Sequence, residues 1–276
     1  MSLGPRLVQP IEIATQKQLR LHGQPTFCYL CGQPLAAADV DRDHCPPKSF
    51  FSAADRIDFP IILPTHQACN NGWKEADEIV GIVTDALHDR QKSSNLDLTQ
   101  KLEAYSIPFQ NKEAAAITNL PLVSMTKRIY RAMHALLYRQ FLPGHLMEAT
   151  HVPLPAADWD TGLPIQPLDQ AFVFGAAVRR ALLTRSADTV TAYNGKFRYA
   201  CVWSHLSNGE PCCVFAFDIY AFHYLAPKVD NFPRVFVGLY KPDIIPTTGA
   251  WESAIKFDIT RAEMLDPWLR TDPHKG

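Results

Sequence analysis

No stretch of this chain offers the ~18 uninterrupted apolar residues of a membrane-spanning helix, although apolar residues fill 47% of its 276 positions. The opening segment MSLGPRLVQPIEIATQKQLR lacks the apolar centre of a secretory signal, so a cytoplasmic location is the expectation. An excess of one charge is missing too. Lys and Arg number 27 against 28 Asp and Glu, for a formal net charge of −1. Any grip on nucleic acid must then come from a local patch or a bound metal. There is no internal repeat and no low-complexity tract. The seven cysteines, at 28, 31, 45, 69, 201, 212 and 213, are odd in number and sparse in a long chain. That excludes a disulfide framework and leaves metal ligands or small buried side chains.

What is present divides into three parts. Residues 1–25 read as an extension with a helical turn or two around Gln16–Leu21. Residues 26–92 form a small module in which Cys, His, Pro and Gly crowd the first part. A helical period then begins, with apolar residues at 73, 76, 79, 80, 83 and 87. Residues 93–276 form an α+β region. In it a polar loop (KSSNLDLTQ) leads to helices, the clearest at Leu122–Phe141 between Pro121 and Pro143-Gly144. Four prolines in 150–168 suggest a linker or long surface loop. Strand-like runs follow: AFVFGAAV (which is also compatible with a helix), DTVTAY, KFRYACVW, CCVFAFDIYAF and RVFVGLY. Asn194-Gly195 signals a hairpin between two of them. Helices followed by an antiparallel sheet are therefore expected, with Cys212-Cys213 buried in a strand.

Cys28 and Cys31 form a Cys-x2-Cys pair followed by Gly32, and His66 and Cys69 form a His-x2-Cys pair. Together they make a Cys3His set, a usual combination for structural zinc. A short module with little core gains from a metal in place of apolar burial. Cys45 is a competing ligand.

Asp43-His44 stands between the pairs, followed by Pro46-Pro47, and Asn70-Asn71 directly follows the second pair. On Cys28, Cys31, Asp43, His44, Pro46, His66, Cys69 and Asn70, residues 26–80 resemble the zinc-bearing branch of the HNH endonucleases. The segments DHCPPKSFF and CNNGWKEADE carry the likeness furthest. The resemblance implies a ββα-metal fold and hydrolysis of DNA, or RNA, phosphodiester bonds. His44 would act as general base, and Asp43 and Asn70 would hold a catalytic Mg²⁺ or other divalent cation. The prolines would end the strand and fix the angle of the Asp-His pair. Lys74, at i+4 from Asn70, would reach a phosphate or be ordinary solvated charge, and Asp77 would orient a ligand or metal-bound water. Two departures stand out. The family's middle Asn has no clear counterpart, Asp58 and Thr65 being the nearest polar residues, and its usual Cys at 66 is His. A non-catalytic, zinc-stabilised binder is the alternative.

The module is acidic, so cations for a polyanion are sought elsewhere. On the 122–141 helix, Lys127, Arg131, His134 and Tyr138 repeat at i, i+4, i+7 and i+11. They suggest either a polar face turned to nucleic acid, with Lys127 and Arg131 as contacts, or a merely solvated face.

Overall fold

Why six strands and two long helices pack as they do follows from side-chain alternation along the central strands. The computed structural model describes residues 9–87, 103–109, 112–118, 120–143, 152–154, 169–205, 211–219 and 235–241. Within these the protein is mixed α+β. The main sheet has the order β1-β7-β8-β9-β10-β6. Its strands are β1 (Glu12–Ile13), β6 (Val152–Leu154), β7 (Asp188–Ala192), β8 (Phe197–His205), β9 (Pro211–Ile219) and β10 (Val235–Tyr240). β1 pairs parallel to β7, and the other pairings are antiparallel.

Successive strand residues point to opposite faces. On β8 and β9, Tyr199, Cys201, Trp203, Cys213, Phe215 and Phe217 join one buried cluster, which includes Met125, Ile129, Met133 and Leu136 of helix α4 (Leu122–Tyr138). The alternate residues Ala200, Val202, Cys212, Val214 and Ala216 join a second cluster with Ala177, Val178 and Ala181 of helix α5 (Asp169–Leu183). The sheet is thus the middle layer between two helices, and every buried position on these strands serves one face or the other. The Asn194-Gly195 hairpin is formed, with positive φ at Tyr193, Asn194 and Gly195.

On the far side of α4 lies the segment carrying the Cys and His pairs. Helix α1 (Gln16–His22) starts at Thr15, whose hydroxyl accepts from the Gln18 amide while the Gln18 side chain accepts from the Ala14 amide. β2 (Val40–His44) and β3 (Ile62–His66) pair antiparallel with Asp43 opposite Leu63 and His44 opposite Ile62. Between them a 3-10 turn spans Lys48–Phe50. Helices α2 (Gln67–Asn71) and α3 (Lys74–Leu87) follow. Tyr29, Phe50, Phe51, Ile61, Leu63 and Val80 belong to the same core cluster as α4 and the sheet.

One open reading is resolved and two expectations are corrected. Residues 171–178 are helical, because Phe174, Ala177, Val178 and Ala181 fall at helical spacing and lay one face on the sheet. The region before residue 118, expected to be helical, instead holds the antiparallel pair β4 (Glu103–Phe109) and β5 (Lys112–Thr118). Pro108 inside it opposes a helix interior. The expected linker contains β6, paired with β10. The polar loop KSSNLDLTQ and the boundary near 92 lie outside the described residues.

One buried charge joins the layers. Arg128 of α4 is 1% exposed. Its Nη2 donates to Asp43 Oδ1 at 2.5 Å, its Nη1 to Asp77 Oδ1 at 2.5 Å and its Nε to the Tyr29 hydroxyl at 3.1 Å. The Tyr29 hydroxyl in turn donates to Asp43 Oδ2, and Trp73 lies 4.9 Å from the guanidinium carbon. Removing one member of such a set strands a buried charge, at a cost of about 3–5 kcal/mol. Arg128→Met should lower the unfolding free energy by that order in urea denaturation. Asp43→Asn on the same background should recover part of the loss, giving a non-additive cycle.

Candidate functional site

The Cys28–Cys31 pair sits on a tight turn. The Cys28 amide donates to Gln33 O at 2.9 Å and the Gly32 amide to Cys28 O at 2.7 Å. Gly32 has φ +81°, and a Cβ there would come within 2.6 Å of the Phe141 ring, so the position requires glycine. The second pair is made by a strand-to-helix transition. His66 is the last residue of β3 and the N-cap of α2, and Cys69 lies one turn on. The ligand atoms of Cys28, Cys31, His66 and Cys69 all fall within 4.8 Å of one another. Cys31 Sγ is 3.3 Å from His66 Nδ1, while His66 Nε2 is held by Pro34 O at 3.1 Å. The distal ring nitrogen is thereby fixed and Nδ1 is turned to the sulfurs.

Electrostatics favours a cation at this point. Burial pushes the Cys28 thiol up, yet the amides of His66, Cys31 and Leu30 and the Cys31 thiol draw it below the ordinary range. Cys69 is pushed up to about 12, first by burial and then by the neighbouring Cys28 and Cys31. Three sulfurs beside one oriented imidazole form a group able to hold a metal such as zinc, whose charge would offset the effects that raise Cys69. Cys45 is not part of it. It is buried, and its thiol donates to Arg128 O at 3.8 Å.

The Asp-His pair is split across the strand. Asp43 turns inward, 3% exposed, with both oxygens engaged by Arg128 and Tyr29. His44 turns to the other face and is half-buried, with no side-chain hydrogen bond among the described residues. Its pKa is lowered, first by burial and then by Lys48, so the ring is neutral near pH 7. β2 ends at His44, the Cys45–Pro46 peptide is cis, and Pro46 O accepts from the Tyr193 hydroxyl at 3.0 Å. Asn70 does not meet Asp43. It donates to Asp41 Oδ2 at 2.9 Å, and this bond, followed by the Arg42 amide and nearby Lys74, lowers the Asp41 pKa. Lys74 is exposed beside them. Asp77, expected to orient a ligand, pairs with Arg128 instead. Thr65 is fully buried and Asp58 exposed.

The suggested polar face of α4 is corrected. His134 is fully buried with Nδ1 2.7 Å from the Tyr240 hydroxyl, and burial pushes its pKa down to about 3. Tyr138 is buried and donates to Asp188 at 2.6 Å. Arg131 donates to Leu30 O at 2.9 Å, inside the metal-binding turn, and lies over the Phe141 ring. Lys127 is partly buried. The helix packs on the sheet on one side and on the segment carrying the Cys and His pairs on the other, and Arg131 braces the Cys28–Cys31 turn. Sequence reasoning missed Arg128. Its signal was a cation spaced i+3 from Met125 and i−4 from Ala132, in the apolar stripe.

No family model, curated protein or solved structure matches the chain.

One metal ion per chain is expected on purification without chelator, measured by elemental analysis. Cys69→Ser should lower that content toward zero and speed amide exchange over 26–72 more than in β8 and β9. A second expectation concerns Asp77, raised to about 6, first by burial and, against the pull of Arg128, by Asp43. A raised folded-state pKa gives stability present below about 4 and lost as pH rises through about 6. Between pH 4 and 7 the wild type should lose on the order of 2 kcal/mol relative to Asp77→Asn, read by denaturation at each pH.

Proposed function

We propose that the chain is an HNH-type endonuclease that hydrolyses DNA phosphodiester bonds with His44 as general base. The single observation carrying this reading is His44. It is neutral, half-buried and, among the described residues, without a side-chain hydrogen-bond partner at the end of a strand, in a strand-strand-helix unit whose loop and helix start are drawn together by the Cys3His group. A neutral imidazole accepts the proton of water as the new oxygen–phosphorus bond forms and the bond to the departing sugar oxygen breaks. The role assigned to zinc on Cys28, Cys31, His66 and Cys69 is structural, since all four protein donors are spent on one tetrahedral set.

A catalytic cation on Asp43 and Asn70 does not fit the geometry. Asp43 is sequestered and Asn70 bonds Asp41, so no step is routed through such an ion. The same withdrawal of Asp43 favours a second reading, a zinc-stabilised nucleic-acid binder that does not cut.

A plasmid-nicking assay on the full chain, with Mg²⁺, Mn²⁺, Ni²⁺ or chelator, separates the two. The wild type should nick, and His44→Ala should cut at least about 100-fold more slowly with metal content and circular dichroism unchanged. Undiminished cutting by that variant refutes the role of His44. DNA binding without cutting by the wild type selects the second reading.

A further inference from the structure

The metal-binding segment is acidic, and its few cations are not spread evenly. Residues 26–87 contain four Lys and Arg: Arg42, Lys48, Arg56 and Lys74. Three of them act on His44, whose most strongly interacting charges are Lys48, Asp43, Arg42 and Arg56. The one acid in that set, Asp43, is already paired with Arg128. The field at His44 is therefore positive within an otherwise negative surface.

Each cation is placed by fixed backbone. Arg42 and His44 are alternate residues of β2 and share a face, Arg42 being exposed. Lys48 is exposed at the start of the 3-10 turn, directly after Pro46-Pro47. That turn is pressed onto α3: the Ser49 hydroxyl donates to Asp77 O at 3.1 Å, and a Cβ on Gly81 would come within 2.8 Å of Ser49 Cβ. Arg56 is tethered by Nε to Phe51 O at 2.8 Å, just after the same turn. Its terminal nitrogens, the Arg42 guanidinium and the Lys48 ammonium have no anionic partner among the described residues. Three cations with no anionic partner among the described residues thus act on one half-buried imidazole from its own strand face and from the turn that follows it.

We propose that Arg42, Lys48 and Arg56 form a cradle for the phosphates of a nucleic-acid strand, centred on His44. This rests on the reading of His44 as the site of chemistry and names what holds the substrate there. It moves the polyanion contact from α4 to the β2 face and the turn after it. Guanidinium and ammonium groups suit phosphate oxygens, the arginines through paired donors and the lysine as a point charge. None of the three reads a base edge, so the cradle grips the backbone without regard to sequence.

The test uses the full-length metal-loaded protein and the triple variant Arg42→Gln, Lys48→Gln, Arg56→Gln, with Lys17→Gln and His44→Ala alongside. Binding of fluorescent duplex DNA, single-stranded DNA and single-stranded RNA of equal length is followed by anisotropy across salt. The triple variant should bind duplex DNA at least about tenfold more weakly at low salt. Its slope of log K against log salt should be shallower by roughly 2–3, at about 0.9 per lost phosphate contact. Lys17→Gln, which removes an exposed cation of α1 outside the cradle, should bind like the wild type. Circular dichroism and metal content show whether the triple variant is folded, and the single changes Lys48→Gln and Arg42→Gln report if it is not. Wild-type affinity and slope in the folded variants, or no binding of any of the three probes by the wild type, overturn the cradle. The endonuclease reading fails separately, if His44→Ala cuts as fast as the wild type, and that result leaves the binding data to stand on their own. A preference among the three probes identifies which nucleic acid fills the cradle.

Discussion

Everything described here is hung on one guanidinium. Arg128 of α4 is buried among two carboxylates, a phenol and an indole drawn from β2, α3, the Cys28–Cys31 turn and the residue just before α3. Removing a guanidinium from water is expensive, and only a full set of acceptors offsets the cost. The arrangement is therefore close to all-or-none: Tyr29, Asp43 and Asp77 have to converge before Arg128 can be buried at all. This constraint ties β2 to α4 through Asp43, and strand alternation then turns His44 to the opposite face.

The same constraint withdraws Asp43 from solvent chemistry. A strand sends neighbouring side chains to opposite faces, and the Asp-His pair divides accordingly. One residue serves the interior and the other the surface. Asn70, freed of Asp43, holds Asp41. The metal-binding group stands at the other end of the β2–β3 ribbon, where His66 faces Val40 across the strands. The ribbon thus runs from the Cys3His group at one end to a buried ion network at the other, and beyond that second end the turn at Lys48–Phe50 packs against α3.

How much of this was legible in the sequence depended on how local the cause was. The Cys28–Cys31 and His66–Cys69 spacings, the Asn194-Gly195 hairpin and the start of α4 each arise within a few residues, and each could be read. The helix α5 was ambiguous because Phe, Val, Gly and Ala suit a buried strand as well as a helix laid on a sheet. The fate of Arg131, His134 and Tyr138 was illegible because a periodic polar face says nothing of what covers it, and here both sides of α4 are covered. Arg128 was illegible for a related reason. Its partners are 99, 85 and 51 residues away, and no short window along the chain holds Arg128 together with any of them. The placement of Arg42, Lys48 and Arg56 around His44 was hidden by the acidic average of their segment.

The two-residue strand β1 has a consequence for how the chain is made. The Ile11 amide is bonded to Asp188 across 177 positions, and β1 completes the sheet edge beside β7. Ile13 and Leu19 are buried in the common core. On a ribosome β1 emerges long before its neighbour β7 exists. It must stay unpaired while the metal-binding turns, the β2–β3 ribbon and α4 are synthesised, and it can dock only once β7 has followed. The closing stitch of the main sheet is thus β1, docking on β7.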